Sequence, residues 1–406
     1  MTSPPPRPRS ATPEVQSQTW PHITSPPRLV ASTGTTYSGS IAATSDCPTR
    51  PDASESNLFK SLQWTSDGST LLTHSEDGGL RTFILPPDIL SPTLTPLTPY
   101  CTTFLPHRIY ATALYPSSSL STPSTLLYLA SSRGGPIRLH SLLHPTLLAS
   151  YPLINAHTES YLTPHSLLIP PHRPHTFIAG SASSLSFFDL HRAGSAPVRT
   201  LRTIPTRRSP ATTVTMKGLI TALALGGGGG GAGGGVLAAA TNTRQVGLYA
   251  GDGKGEVVGV FGLPKEPRGE AGGGVTQLEW SKCERYLFIA ERRSEVVTVY
   301  DIRNTGRRVG SLMGRGAATN QRVGVSVAHA LGGEVLGGGM DGMVRVWEGE
   351  EGGEAVGGWR AHEDVVTAAV VHPFDTDTDA PPWDNSLKIW EVPRAHTHSS
   401  PEDREP

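Results

Sequence analysis

The chain has 406 residues, among them 45 Gly and 36 Pro, a turn-forming content that excludes a mainly helical protein and fits many short strands. Its 34 Lys and Arg stand against 35 Asp and Glu, so there is no global attraction to nucleic acid or anionic membrane and any charged function is local. Cys47, Cys101 and Cys283 show no CxxC spacing, which supports neither a disulfide framework nor a zinc knuckle, and no run approaches the roughly 18 apolar residues of a membrane span.

Residues 1–26 are rich in Pro, Ser and Thr, with too few large apolar groups to offset the entropy of ordering, and are expected to form a disordered tail. The opening "MTSPPPRPRS" lacks the apolar core of a secretory signal, which points to a soluble intracellular protein. Residues 27–40 read as a strand without an obvious partner nearby. Seven units then follow, each an alternating strand, a turn, a second apolar strand, a hairpin and a third strand. They begin with "LFKSLQWTSDGSTLLTHSEDGGLRTFIL", "IYATALYPSSSLSTPSTLLYLASSRGGPIRLHSL" and "HSLLIPPHRPHTFIAGSASSLSFFDL". "GLITALALGGGGGGAGGGVLAAATNTRQVGLYA" and "VTQLEWSKCERYLFIAERRSEVVTVYDI" come next. "RVGVSVAHALGGEVLGGGMDGMVRVWEG" and "DVVTAAVVHPFDTDTDAPPWDNSLKIWEV" complete the series.

The third strands end near Phe83, His140, Asp189, Tyr249, Asp301, Glu348 and Glu391, a period of about 40 to 60 residues that is the signature of propeller blades. The expected architecture is all-β: a seven-bladed WD-repeat β-propeller over residues 27–392, with disordered tails at 1–26 and 393–406. In each blade the fourth strand comes from the segment that follows. For the seventh it is supplied by residues 27–40, so the ring closes without an exposed edge. The Gly run at 226–235 and the Ser/Thr/Pro run at 116–125 read as loop expansions; the former lacks the GK[ST] of a phosphate loop.

In the seventh unit, His362, Asp384 and Trp390 take the places of the His, hairpin Asp and terminal Trp of a WD blade, the imidazole bonding the carboxylate while the indole closes the apolar face. Asp77 and Asp341 hold the same hairpin position and are read in the same way, as structural residues. His172 and His175, and His396 and His398, are pairs without further ligands, so no metal is expected. No GxSxG, HExxH or paired-carboxylate pattern appears, and neither an enzyme nor a cofactor is expected.

Blade topology places the loops entering each blade and the hairpins between second and third strands on one face. That face collects Arg133, Lys217, Arg244, Arg292, Arg293, Arg315 and Arg322, leaning toward the fourth to sixth blades. Arg292, Arg293, Arg315, Asn320, Gln321 and Arg322 are the candidate RNA-binding residues: guanidiniums fork onto phosphate or base edges, and the two amides donate and accept at once. The alternative for Asn320 or Gln321 is a tether between this loop and the neighbouring hairpin.

The sequence resembles the telomerase Cajal body protein family of WD-repeat proteins. The likeness is carried by "NLFKSLQWTSDGSTLLTHSEDGGLRTFILPP", "LTPHSLLI", "VGLYAGDGKGEVVGVFG", "AERRSEVVTVYDIRN" and, above all, "TNQRVGVSVAHALGGEVLGGGMDGMVRVWE". The resemblance implies a propeller that binds small Cajal body RNA or telomerase RNA and serves nuclear ribonucleoprotein assembly or trafficking, with spliceosomal small RNA as a further cargo. It implies small nuclear RNA and ribonucleoprotein proteins as partners, chaperonin-dependent folding, no membrane, a monomer, and a nuclear location shared with the cytoplasm. The other reading is a protein-only scaffold, for example in signalling as with G-protein β-subunits.

Overall fold

The computed structural model describes residues 27–34, 58–205, 215–226, 234–254, 256–264, 272–304, 307–329, 333–349, 351–373 and 387–392. Asp384, His396, His398 and residues 227–233 of the Gly run lie outside them.

Short strands alternating between two buried faces dictate the architecture. The middle strands, such as Thr70–Ser75 (TLLTHS), Leu127–Ser132 (LYLASS) and Val236–Thr241 (VLAAAT), are buried at nearly every position. Such a strand must be covered on both sides, so sheets stack face to face around a ring. Six four-stranded antiparallel sheets result. Blade one comprises Phe59–Trp64, Thr70–Ser75, Gly79–Ile84 and Cys101–Phe104, and blade two Ile109–Leu114, Leu127–Ser132, Ile137–Ser141 and Leu147–Tyr151. Blade three is formed by Ser166–Leu168, Thr176–Ser181, Ser184–Asp189 and Arg199–Arg202. Blade four is formed by Ile220–Gly226, Val236–Thr241, Gln245–Tyr249 and Val257–Gly262. Blade five contains Val275–Trp280, Tyr286–Glu291, Val297–Asp301 and Arg308–Leu312; blade six contains Val325–Val327, Val335–Gly338, Met343–Trp347 and Gly357–Arg360. The third strands end within a residue of the positions expected from sequence.

The seventh sheet closes the ring. Lys388–Glu391 pairs antiparallel with Arg28–Ser32, which joins the two ends of the described chain. Arg28 reinforces the joint: its guanidinium donates to Glu391 Oε2 (2.7 Å) and to the carbonyls of Leu90 and Ser91. Thr95–Pro96, from the connection between the last two strands of blade one, adds in parallel to the outer side of Arg28–Ser32, a pairing not expected from sequence. Proline suits this outermost position because it has no N–H to leave unpaired. The inner segment of blade seven runs along the channel through Thr367 without an assigned strand.

Between blades the cores are apolar. Trp280 lies against Gly226, where an added Cβ would come within 2.5 Å of the indole; the small side chains of VLAAAT complete the space between blades four and five. Trp347 is fully buried between blades five and six and donates its indole N–H to Met313 O (2.9 Å). Trp390 packs with Trp359, Val366 and Val392 between blades six and seven.

The hairpin aspartates have a partner that the sequence reading did not expect. Asp77 accepts from Gly79 N–H and pairs with the Arg81 guanidinium, and Asp341 accepts from Met343 N–H and pairs with Arg345. The pattern Asp-Gly-x-x-Arg puts the cation two residues into the third strand, pointing back over the turn. In blades one and six a guanidinium therefore stands where an imidazole was expected. His362 contributes a backbone N–H to Gly342 O (2.8 Å).

Trp390→Ala is expected to cost about 3 to 5 kcal/mol through the cavity it leaves, read by thermal or denaturant unfolding. Removal of residues 1–26 should leave the melting temperature unchanged. Removal of residues 1–40 takes away the partner of two strands and should give an aggregating product by size-exclusion chromatography. A cooperatively folding monomer from the longer deletion would refute closure through Arg28–Ser32.

Candidate nucleic-acid interface

The inner strands of blades one to six and the inner segment of blade seven surround a central channel of about 860 Å3, lined in part by Lys60, Arg108, Tyr110, His165, Arg292 and Arg322. Inner strands start at the face that carries the entry loops, so residues at their first positions, or just before them, ring that mouth. Lys60 and Arg108 both pair with Glu76, the second at 2.9 Å, and are thereby partly neutralised. Across the mouth stand Arg292, from the blade-five hairpin, and Arg322, from the loop entering blade six. Arg292 donates to the main-chain carbonyl of Asn320 (2.6 Å). Four cationic side chains thus face two carboxylates, Glu76 and Glu279.

The electrostatics record this imbalance. Crowding by the surrounding protein and then the proximity of Arg292 lower the pKa of Arg322, against an opposing effect from Glu279, although its side chain stays open to solvent at the mouth. His165, which belongs to blade three, is also lowered, first by burial and then by Arg292. Between them blade four contributes Thr221, Ala222 and Leu223 to the lining. Glu279 lies further down the wall of blade five. Its carboxyl is open to the channel but crowded by protein, and burial raises its pKa to about 7 against a Gln277 hydrogen bond and the Arg322 charge.

The loop "TNQR" is joined to the blade-five hairpin. Arg293 N–H donates to Thr319 O (3.0 Å), and Arg293 Nε to Asn320 Oδ1 (2.6 Å). Arg293 adopts φ of 56°, a left-handed conformation that costs a non-glycine residue on the order of 1 kcal/mol and that these two bonds hold in place. The tether role considered for Asn320 is thus present, while Arg292, Arg293, Asn320, Gln321 and Arg322 all remain exposed. Asn320, Gln321, Arg292 and Arg322 line the channel mouth.

Arg315 is a correction. Expected on this surface, it is 1% exposed. Its guanidinium donates to Glu291 O (3.0 Å) and Val323 O (2.5 Å), and burial lowers its pKa to about 10. It is an internal brace between the blade-five hairpin and the entry to blade six. Arg244 is similarly engaged, with Glu291 at 2.7 Å, whereas Arg133 and Lys217 are exposed but do not line the channel.

Two features of the mouth escaped the sequence reading. Lys60, from the inner strand of blade one, and Arg108, from the loop entering blade two, converge on Glu76 in the blade-one hairpin. Tyr110 and His165 bring their rings to 4.6 Å at an interplanar angle of 56°, which supplies aromatic surface that the entry loops themselves lack. On the opposite face His172 Nε2 meets Asp252 Oδ2 at 2.7 Å, and His175 meets His191 at 3.2 Å. Among the described residues no group of three or more His, Cys, Asp or Glu is placed to hold a metal.

No family model matches the chain. It is 29% identical over 312 residues to Guanine nucleotide-binding protein negative regulator 1 of Schizosaccharomyces pombe, covering 75% of this chain and 73% of that one. It is 28% identical over 300 residues to Telomerase Cajal body protein 1 of Mesocricetus auratus, and 26% identical over 338 residues to that of Homo sapiens. These alignments cover 73% and 81% of this chain but 51% and 57% of the Cajal body proteins, so the chain spans little more than half their length. The expected resemblance to the telomerase Cajal body proteins is borne out as a similarity over most of this chain.

His74, buried in blade one behind Lys60 and Glu76, gives this region a pH dependence. Burial first, then Lys60 and Arg108 against Glu76 and Asp77, lower its pKa to about 4. An imidazole held neutral in the fold contributes its full stability above the unfolded value near 6.5, and that contribution is lost as pH falls from there toward 4, to a total of about 3 kcal/mol. Unfolding curves between pH 7 and 4.5 should therefore fall more steeply for the native protein than for His74→Gln. Parallel curves would refute a buried neutral imidazole.

Proposed function

We propose, from kinship with the telomerase Cajal body proteins and from the basic channel mouth, that this WD-repeat propeller binds small nuclear RNA and assists nuclear ribonucleoprotein assembly or trafficking without catalysis of its own. The observation that carries the reading is the pairing of Arg292 and Arg322. They stand at one entrance, where crowding by protein and then Arg292 lower the pKa of Arg322, and the carboxyl below them, Glu279, has its own pKa raised to about 7 by burial. Such a pair is stabilised by a bound anion, and the RNA backbone supplies anions in series. Arg293 extends the basic surface outward, and Asn320 and Gln321 place amide donors and acceptors beside it. A nuclear site of action accords with the names of the Cajal body relatives.

A second reading has its own support. The relative named Guanine nucleotide-binding protein negative regulator 1 favours a protein-binding scaffold in signalling, for which the propeller faces would receive peptides or partner domains.

Binding of a small nuclear RNA pool at several salt concentrations separates the two. The triple variant Arg292→Ala, Arg293→Ala, Arg322→Ala should flatten the plot of log affinity against log salt by about two units, as expected when three single-strand phosphate contacts are lost. Asn320→Ala should leave the slope unchanged and reduce discrimination among RNAs, because a neutral amide releases no counterions. Unaltered binding by a triple variant of native thermal stability would leave the scaffold reading as the better one.

A further inference from the structure

The basic residues lie at a hole, not on a flat patch, and this geometry constrains how RNA would engage them. The lumen, at about 860 Å3, falls within the size range of small-ligand sites, roughly 300 to 1,000 Å3, and cannot admit a duplex. Its entrance carries two kinds of group on opposite sides. Arg292 and Arg322 come from blades five and six, while the paired rings of Tyr110 and His165 come from blades two and three. Both rings are half-buried and line the lumen, so each is fixed at one edge and open to the channel. Arg292 is near enough to His165 to act on it electrostatically, so the cationic and aromatic sides are within reach of one another.

We propose, building on the RNA reading above, that the channel mouth is a subsite for one unstacked nucleotide of the bound strand, its phosphate held between Arg292 and Arg322 and its base laid against Tyr110 and His165. The walls below support this division of labour. The amides of Gln63 and Gln277 are spent on the backbone of the next blade, through Thr112 and Leu114 in one case and Val325 in the other. They are thus not free to read a base edge. Recognition inside the mouth is then by stacking, which tolerates any base, and selectivity falls to Asn320 and Gln321 on the rim. Glu279 lies deeper on blade five, and the cations of the lining are gathered at the entrance, where the phosphate is held. His165, held neutral by burial and by Arg292, presents an uncharged ring for stacking.

The test uses the full chain and a single-stranded RNA of random sequence substituted with 4-thiouridine, crosslinked by long-wavelength light and mapped by mass spectrometry. Crosslinks are expected in the peptides containing Tyr110 and His165. Tyr110→Leu should weaken binding of the same RNA roughly tenfold, Tyr110→Phe should bind as the native protein does, and a blunt RNA duplex of equal length should bind weakly to all three. RNA that binds in a salt-dependent manner, but crosslinks only elsewhere and ignores Tyr110→Leu, overturns the subsite and leaves the RNA reading intact. Absence of any binding at low salt overturns both.

Discussion

In a propeller most sheet hydrogen bonds stay inside each blade, with crossings here at Thr95–Pro96 on Arg28–Ser32 and at the bridges of Ala182 with Leu219 and of Leu312 with Gly353, so the ring depends on what else spans the gaps. Here a circuit of hydrogen bonds around the channel does so. Gln63 of blade one bonds the backbone at Thr112 and Leu114 of blade two, and Ser131 of blade two bonds Pro164 at the entry to blade three. Ser166 then bonds Ile220, Thr221 bonds Val275, and Gln277 bonds both polar groups of Val325. Gly324 N–H reaches Thr367 O, and Thr367 Oγ1 reaches Phe59 O, which returns to blade one. Each bond is worth on the order of 1 kcal/mol net, and each satisfies an inner-strand carbonyl or N–H that a lumen too narrow for free hydration would otherwise leave short.

This circuit shapes the chemistry of the lumen. Because Gln63, Ser166, Thr221 and Gln277 on the inner strands are committed to neighbouring blades, the charged groups at the mouth are long side chains, Lys60 from the start of the blade-one inner strand and Arg108, Arg292 and Arg322 from loops. Of these, Lys60 and Arg108 share Glu76, and Arg292 and Arg322 face each other. The strain of two guanidiniums at one entrance is tolerated because the blade-five hairpin and the entry to blade six are braced from beneath by Arg315 and laterally by Asn320. Three arginines close together in sequence and space therefore perform different work. Arg315 holds the joint, Arg293 locks the loop to the hairpin, and Arg322 is left with no hydrogen-bond partner among the described residues.

Buried titratable groups follow the same logic. His74 and His165 are kept neutral by burial beside cations, and the Glu279 carboxyl is held near half-protonation by its crowded wall. Their combined effect is a mouth whose positive potential comes almost wholly from permanently charged Lys and Arg. Because Glu279 titrates near neutrality, the attraction of the mouth for anions grows as pH falls through 7, while the fold weakens in acid.

The period-two alternation of the strands, the Asp-Gly hairpins at Asp77 and Asp341 and the recurrence of seven units were sufficient by themselves to determine the all-β propeller and the ends of its third strands. These signals are local: a strand buried on both faces has only one way to be covered, and a left-handed turn selects glycine. The exposed loop residues Arg292, Arg293, Asn320, Gln321 and Arg322 could likewise be assigned to one face, because topology fixes the side on which a loop emerges. The sequence could not distinguish Arg315 from Arg322, seven residues apart, since which of two arginines turns inward depends on the carbonyls that Glu291 and Val323 offer in three dimensions. Nor could it bring Tyr110 to His165, or Arg108 to Glu76, because those meetings cross blade boundaries and exist only once neighbouring blades have packed. Periodicity specifies which way a strand residue faces; only tertiary packing decides what it meets there.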